Sequence, residues 1–444
     1  MAGGSLKQLK TLWWISLIVK LAISALVPLS ADESYYWVWS RFPELSYYDH
    51  PAMVAWIFKA GDLFLGFANA VRWPAVILGH LTLLVWFLIL RDYLNVEKIK
   101  WYFYLVLFSP MLGFGSLAVT PDLPVIFFWS LSIYFFIQLL QNGKMLNYGL
   151  LGLSLGLGFC SKYHIVLFVP SILLFLTFEK KWSAVKFRGV CLTILLGLIG
   201  SLPVIIWNYQ HEFASIRFQL NHGLGREDYK FYWTWSYILA QILIVFPVIA
   251  YLAFKAKPKA ELRSLIYLSW FPILFFFLTS FRGIVEANWP IVAYPSLFAL
   301  AIMAAGSFKP IRITNAFWIL VALLVILQVR FNFLKNAPEK MQELTRYQVI
   351  DDVRPQYEPL YCQNYQMCSA LWYLSKKPIY KIWGMSRTDY FDNFDQGFPG
   401  MLPSQFFLAM REGDPMPSWF EKDKQKIEVV QRLENRLLIV KITQ

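Results

Sequence analysis

The ionisable residues of this chain are few and fall in short groups. Asp32 and Glu33 stand side by side in "ADESYYWVWS", directly after an apolar run, and Asp49 and His50 follow in "SYYDHPAMVAW". Asp122 lies in "VTPDLP", Lys162 in "GFCSKYH", His222 in "FQLNHGLGRED", and Arg282 and Glu286 in "FRGIVEANWP". A carboxylate partly desolvated at a membrane edge has a raised pKa, which suits proton abstraction from a hydroxyl or amine. Asp32 is the candidate for that base. Lys162 and Arg282, with His50 and Arg72 behind them, offer positive charge that would hold a phosphate and stabilise it as a leaving group. Asp49, Asp122 and Glu286 would orient sugar hydroxyls or bind a divalent cation. The set suits displacement of a lipid phosphate from a sugar. Each residue also has a plainer role. Asp32 and Asp122 could be helix N-caps, and Lys162 could snorkel from a helix end. His164, His211 and His222 could be simple hydrogen-bonded residues. Gly152, Gly156 and Gly158 suit close helix packing rather than a phosphate loop, because no strand precedes them.

The elements that must position these groups are membrane helices. The chain is 57% hydrophobic and 16% charged over 444 residues, against about one quarter charged in a soluble domain. Apolar runs recur near 12–29, 72–90, 101–118, 123–140, 148–160, 163–178, 190–207, 232–254, 264–280, 290–306 and 314–333. A helix of about 20 such residues crosses a bilayer core, so an α-helical polytopic fold of about eleven spans is expected. With the N-terminus inside, the inner loops hold 16 Lys and Arg and the outer loops eight. This bias places the N-terminus in the cytoplasm. The net charge of +13 is then mostly a topology signal, and no nucleic acid is implied.

On that topology every polar group above faces outward. The first outer loop, about 42 residues long, is too long for a simple connector and rich in Tyr and Trp, which favour the headgroup level. It is expected to form interfacial helices on the outer leaflet. Lys20, inside the first span, is expected to snorkel inward. The chain divides into a membrane domain, 1–334, and a small outer domain, 335–444. In the latter, "VIDDV", "PIYKIW", "QFFLAM" and "IEVVQRLENRLLIVKI" read as strands. "NYQMCSALWYLSKK" reads as a helix capped by Asn364. Cys362 and Cys368 can be oxidised in that compartment. No zinc pattern is present.

Six motifs in order, "DESYYWVWS", "SYYDHPAMVAW", "TPDLP", "GLGFCSKY", "NYQHEFASIRFQLNHG" and "VEANWP", resemble bacterial GT-C glycosyltransferases. The nearest are those related to dolichyl-phosphate-mannose–protein mannosyltransferases and to the lipid A aminoarabinose transferase. The resemblance runs from about Leu12 to Ala305. It implies transfer of a sugar from a polyprenyl-phosphate donor at the periplasmic face of the bacterial inner membrane, to a lipid A or core sugar, another envelope glycan or a protein. Asp32 matches the first-loop catalytic base, with Glu33 beside it, and Asp122 matches the acid of the second outer turn. Tyr48-Asp49-His50-Pro51 resembles a Glu-Lys-Pro-Pro stretch whose acid helps bind a metal and whose lysine meets the lipid phosphate. Here His50 stands for the lysine, so Asp49 and His50 are the metal candidates and Lys162 the preferred phosphate ligand. No cofactor beyond an optional divalent cation is implied. Glu33, Tyr48, Asp49, His50, Asp122, Lys162, His222, Arg282 and Glu286 are the expected substrate contacts. A transporter or flippase of lipid-linked sugars is the alternative. It would place ionisable groups in mid-membrane and show internal repeats.

Overall fold

The computed structural model describes residues 2–224, 228–331, 346–393, 402–417, 420 and 425–443. Among the described residues up to Phe331, fifteen α-helices run α1 (Ala2–Leu26), α2 (Ala31–Arg41), α3 (Met53–Ala60), α4 (Trp73–Leu90), α5 (Val96–Phe108), α6 (Asp122–Asn142), α7 (Met145–Ser161), α8 (Phe168–Phe178), α9 (Phe187–Gln210), α10 (Ala214–Leu224), α11 (Phe231–Val245), α12 (Pro247–Lys255), α13 (Ser264–Thr279), α14 (Tyr294–Ala304) and α15 (Lys309–Phe331). The chain forms two compact units. One comprises Met1–Leu26 with Leu45–Leu324, the other Val27–Glu44 with Val325–Gln444.

The first unit is the membrane body. Each of the eleven apolar runs is helical in whole or large part. Among the described residues, six helical segments are long and apolar enough to span by themselves: Leu6–Leu26, Ala70–Leu90, Asp122–Asn142, Phe187–Gln210, Ala260–Thr279 and Lys309–Gln328. The helices α11 and α12 form a seventh, bent by 79° at Phe246, whose φ is 65°. Met145–Ser161, Tyr163–Phe178 and Trp289–Ala304 are shorter apolar helices. The run at 101–118 is α5 followed by a π-turn, Pro110–Phe114.

Small residues set how closely these helices approach. A Cβ on Gly152 would lie 2.4 Å from Thr193 O, and one on Gly156 2.4 Å from Gly197 O. The backbones of α7 and α9 therefore touch, as the glycine spacing led us to expect. Trp86 Nε1 donates to Ser130 Oγ at 2.9 Å and ties α4 to α6. Lys20 does not snorkel: it is buried, and its ammonium donates to Ser116 Oγ at 2.7 Å, since a hydroxyl in the bundle spares it the long reach to water.

The second unit is a small α/β domain. Its sheet has the order β1-β2-β4-β3, with β1 (Leu360–Cys362), β2 (Gln405–Arg411), β3 (Lys426–Leu433) and β4 (Leu437–Thr443). The pair β1/β2 is parallel, and β2/β4 and β3/β4 are antiparallel. "QFFLAM" and the long C-terminal run are strands as expected, and the helix Tyr365–Ser375 is capped by the Asn364 side chain, which accepts from Met367 N at 2.9 Å. Two strand expectations are corrected. "VIDDV" lies in a helical turn, Gln348–Val353, closed by Arg354 Nε donating to Asp351 at 3.1 Å; that i,i+3 pairing is helical. "PIYKIW" only flanks β1 through a single bridge, Cys362 to Lys381, because Lys381 turns inward to a carboxylate cluster. Cys362 and Cys368 form a disulfide.

The helix α2 belongs to this unit. Its rings Tyr35, Tyr36, Trp37 and Trp39 are buried against the helix Tyr365–Ser375 and its neighbours. For these rings, packing within the domain replaces the headgroup anchoring expected of them. The later part of the loop is more exposed, with Leu63 85% exposed and Phe67 58%.

Candidate active site

In the first unit the site begins at two helix ends. Pro121 precedes α6 with helical φ, and Asp122 is the first helical residue, where a carboxylate complements the helix dipole. The N-cap position is Pro121, which makes no side-chain capping hydrogen bond. The chain leaves α7 at Lys162, whose backbone is extended (φ −159°, ψ 138°). An ammonium suits that C-terminal end. The two side chains meet: Lys162 Nζ lies 2.7 Å from Asp122 Oδ1, each side chain 8% exposed. The second carboxylate oxygen accepts from Asn288 Nδ2 at 2.5 Å. Three interhelical connections thus meet at one carboxylate.

Further connections on the same end of the bundle join this network. His164 accepts or donates a hydrogen bond with the Trp289 backbone and lies within electrostatic reach of Lys162 and His50. Its ring packs on Phe276 and Trp289. Gln219 donates to the Asp49 carbonyl at 2.5 Å, and the Tyr48 ring lies 4.9 Å from Phe218. Tyr163 donates to Ser215 at 2.9 Å and accepts from Asn208 at 3.2 Å. Segments around residues 48–50, 122, 162–164, 208–219 and 288 are therefore one polar constellation at one end of the bundle. Asn288, His164, Gln219 and Tyr163 were not among the expected contacts. Asn288 and His164 stand inside the quoted motifs, but an amide or a neutral ring carries no charge to single it out.

The remaining expected residues fall elsewhere. Arg282 and Glu286 are exposed, outside this buried cluster. The side chain of His222 lies outside the described residues. Asp49 and His50 form no metal set: among the described residues no three His, Cys, Asp or Glu side chains come together, so no step is derived through a cation.

Asp32 and Glu33 lie in the second unit. The cap of α2 is Ser30, not Asp32. Glu33 N donates to Ser30 Oγ at 3.2 Å, and Ser30 N donates to Glu33 Oε2 at 3.0 Å. This capping box consumes Glu33, which is 1% exposed. Asp32, one residue earlier, points outward and is exposed. The helix is held by a clasp. Tyr390 N donates to Tyr35 OH at 2.8 Å, and Tyr390 OH donates to Glu44 at 2.8 Å. The clasp loop closes on buried Lys381, which donates to Asp389 at 2.6 Å, to Asp392, and to Arg387 O at 3.1 Å. Burial pushes the Asp389 carboxyl up to about 6, against the opposing pull of Lys381.

An apolar groove of about 970 Å³ opens between α11, α12 and α13, lined by Tyr237, Gln241, Phe246, Trp270, Phe271 and Phe277 among others. Tyr294 OH donates to Gln241 Oε1 at 2.6 Å at its polar edge.

A helical membrane body with a small α/β domain is the architecture of the GT-C polytopic membrane proteins, and the likeness to solved structures bears this out. The crystal structure of ArnT from Cupriavidus metallidurans in the apo state superposes with a TM-score of 0.70 over 98% of both chains, at 13% identity. The same protein bound to undecaprenyl phosphate gives 0.65 over 99% of this chain and 98% of that one, at 14% identity. Residues 49–207 match the dolichyl-phosphate-mannose-protein mannosyltransferase family. The chain is 25% identical over 294 residues to the lipid A galacturonosyltransferase RgtD of Rhizobium johnstonii, across 61% of this chain and 59% of that protein. It is 27% identical over 227 residues to the undecaprenyl phosphate-alpha-4-amino-4-deoxy-L-arabinose arabinosyl transferase of Edwardsiella ictaluri, across 45% and 41%. The chain thus spans about three fifths or less of the lengths of these relatives. The GT-C likeness read from the six motifs holds by sequence and by fold.

Proposed function

We propose that this chain is a glycosyltransferase that moves a sugar from a polyprenyl-phosphate donor to an envelope acceptor, lipid A foremost, at the periplasmic face of the bacterial inner membrane. The observation that carries the reading is the buried Asp122–Lys162–Asn288 cluster, a cation at the end of a membrane bundle of GT-C fold. The names of the relatives, a lipid A galacturonosyltransferase and undecaprenyl-phosphate-dependent arabinosyl transferases, supply the substrate class. The disulfide and the Lys/Arg bias support an N-terminus in the cytoplasm and an outer C-terminal domain.

The mechanism is one in-line displacement. Asp32 takes the proton of the acceptor hydroxyl. The acceptor oxygen attacks the anomeric carbon as the bond from that carbon to the phosphate oxygen breaks. The bonding pair leaves with polyprenyl phosphate, and Lys162 meets its charge. Tyr48, Asp49 and His50 are the proposed contacts to the sugar and headgroup, and His222 belongs to the segment proposed to meet the acceptor. The apolar groove lined by Tyr237 and Trp270 takes the prenyl chain.

The test is release of free undecaprenyl phosphate when purified protein is given an undecaprenyl-phosphate sugar and lipid A. Asp32→Asn should fold, bind donor and lose at least about 100-fold in turnover, the usual loss of a general base. Turnover close to wild type in that variant removes Asp32 from the role.

A further inference from the structure

Lys162 cannot meet a phosphate as a bare cation, because its ammonium is already 2.7 Å from Asp122 in a buried pair. Asn288 holds the other carboxylate oxygen, so Asp122 is fixed and cannot swing away without losing a second contact. An ammonium has three N–H donors. One is spent on Asp122, and an incoming phosphate can take the others. The phosphate would then sit within a few ångströms of a fixed negative charge as well as a positive one. Where water is largely excluded, both interactions act at close to full strength.

The two lipid ligands of the proposed reaction differ in charge. The donor is a phosphodiester and carries one negative charge. The departing product is a phosphomonoester, which carries about −1.5 to −2 at neutral pH. Lys162 and Asp122 together sum to zero. Their pair therefore holds the singly charged donor mainly by directed hydrogen bonds, with little net charge attraction to reward the second charge of the product. Resting on the function proposed above, we infer that Asp122 is a built-in counter-charge that discriminates against the doubly charged product and drives it off Lys162. This role differs from orienting a sugar hydroxyl and has the opposite consequence on removal. Neutralising Asp122 should tighten product binding.

The experiment measures binding of two probes to purified protein in nanodiscs: undecaprenyl phosphate, and its methyl phosphodiester, which has the same chain and one charge. Asp122→Asn should bind the monophosphate at least about tenfold more tightly than wild type, a lower bound for losing one repulsive charge contact in a partly buried site. The diester should gain distinctly less. Asp122→Glu keeps the charge and should keep the wild-type ratio of the two affinities. Lys162→Met should weaken both probes. Single-turnover transfer by Asp122→Asn should fall less than steady-state transfer, because release has become slow. If Asp122→Asn weakens the monophosphate, or shifts both probes equally, Asp122 only orients Lys162 and the inference is overturned. A loss of the variant's thermal midpoint does not excuse that result, since the double variant Asp122→Asn/Lys162→Met removes the uncompensated charge and should bind both probes as weakly as Lys162→Met alone. If wild type binds neither probe, the glycosyltransferase reading itself falls.

Discussion

At the scale of single residues, the chemistry of the site is carried by groups whose neighbours decide their task. Glu33 and Asp32 are adjacent and acidic, yet one closes a capping box and is buried while the other is exposed. Removing the Ser30 hydroxyl should therefore cost about 1 kcal/mol. Ser30→Ala should lower the thermal midpoint and raise hydrogen exchange over 31–36. If exchange there is unchanged, the capping box does not hold the start of α2. Asp122 and Lys162 were legible as an acid and a base on facing outer turns. Asn288 was not, because its only mark is one amide donor aimed at a carboxylate 166 positions away.

At the scale of elements, each compact unit has one contact that decides its local stability. The first is the α7/α9 seam. Gly156→Val would drive a side chain into Gly197 O, 2.4 Å from the new Cβ, and should destabilise by about 1–3 kcal/mol. Because α7 ends at Lys162, undecaprenyl phosphate binding should weaken with it, whereas the outward-facing Leu195→Ala should leave both unchanged. The second is the clasp on α2. Asp389 has its carboxyl raised from 3.8 to about 6, chiefly by burial. Between those values the folded protein binds the proton that the unfolded chain has released, so this residue makes stability fall as pH rises from about 4 to about 6. Asp389→Asn should remove that component. The difference in thermal midpoint between wild type and variant should change through that window and level off above it. A flat difference across the window would mean that the carboxyl titrates at its ordinary value.

At the scale of the whole molecule, the eleven-span reading puts 16 Lys and Arg in the loops on the N-terminal side and eight in the others, a bias that supports the proposed cytoplasmic N-terminus. Single cysteines placed at Lys98 and Lys309 should resist a membrane-impermeant maleimide in intact spheroplasts, and one placed at Leu63 should react. The reverse pattern would invert the topology and remove the periplasmic site. The disulfide Cys362–Cys368 closes a short loop beside β1. Its removal as Cys362→Ser/Cys368→Ser should cost about 2 kcal/mol, read as a lower midpoint that reductant no longer changes.

Hydropathy alone determined the membrane class and the helical runs, because a bilayer imposes its length rule on local sequence; charge sidedness supports the proposed orientation. The long alternating runs of the tail were equally legible as β2, β3 and β4. What only tertiary structure decided is partnership. "VIDDV" has strand composition but closes a helical turn through Arg354. The rings of α2 look like a membrane belt yet fill a domain core. Lys20 finds Ser116, 96 positions on, and Asp122 finds Lys162 and Asn288. Such contacts depend on which helix ends the fold brings level, a long-range geometric outcome that residue type and periodicity do not encode locally.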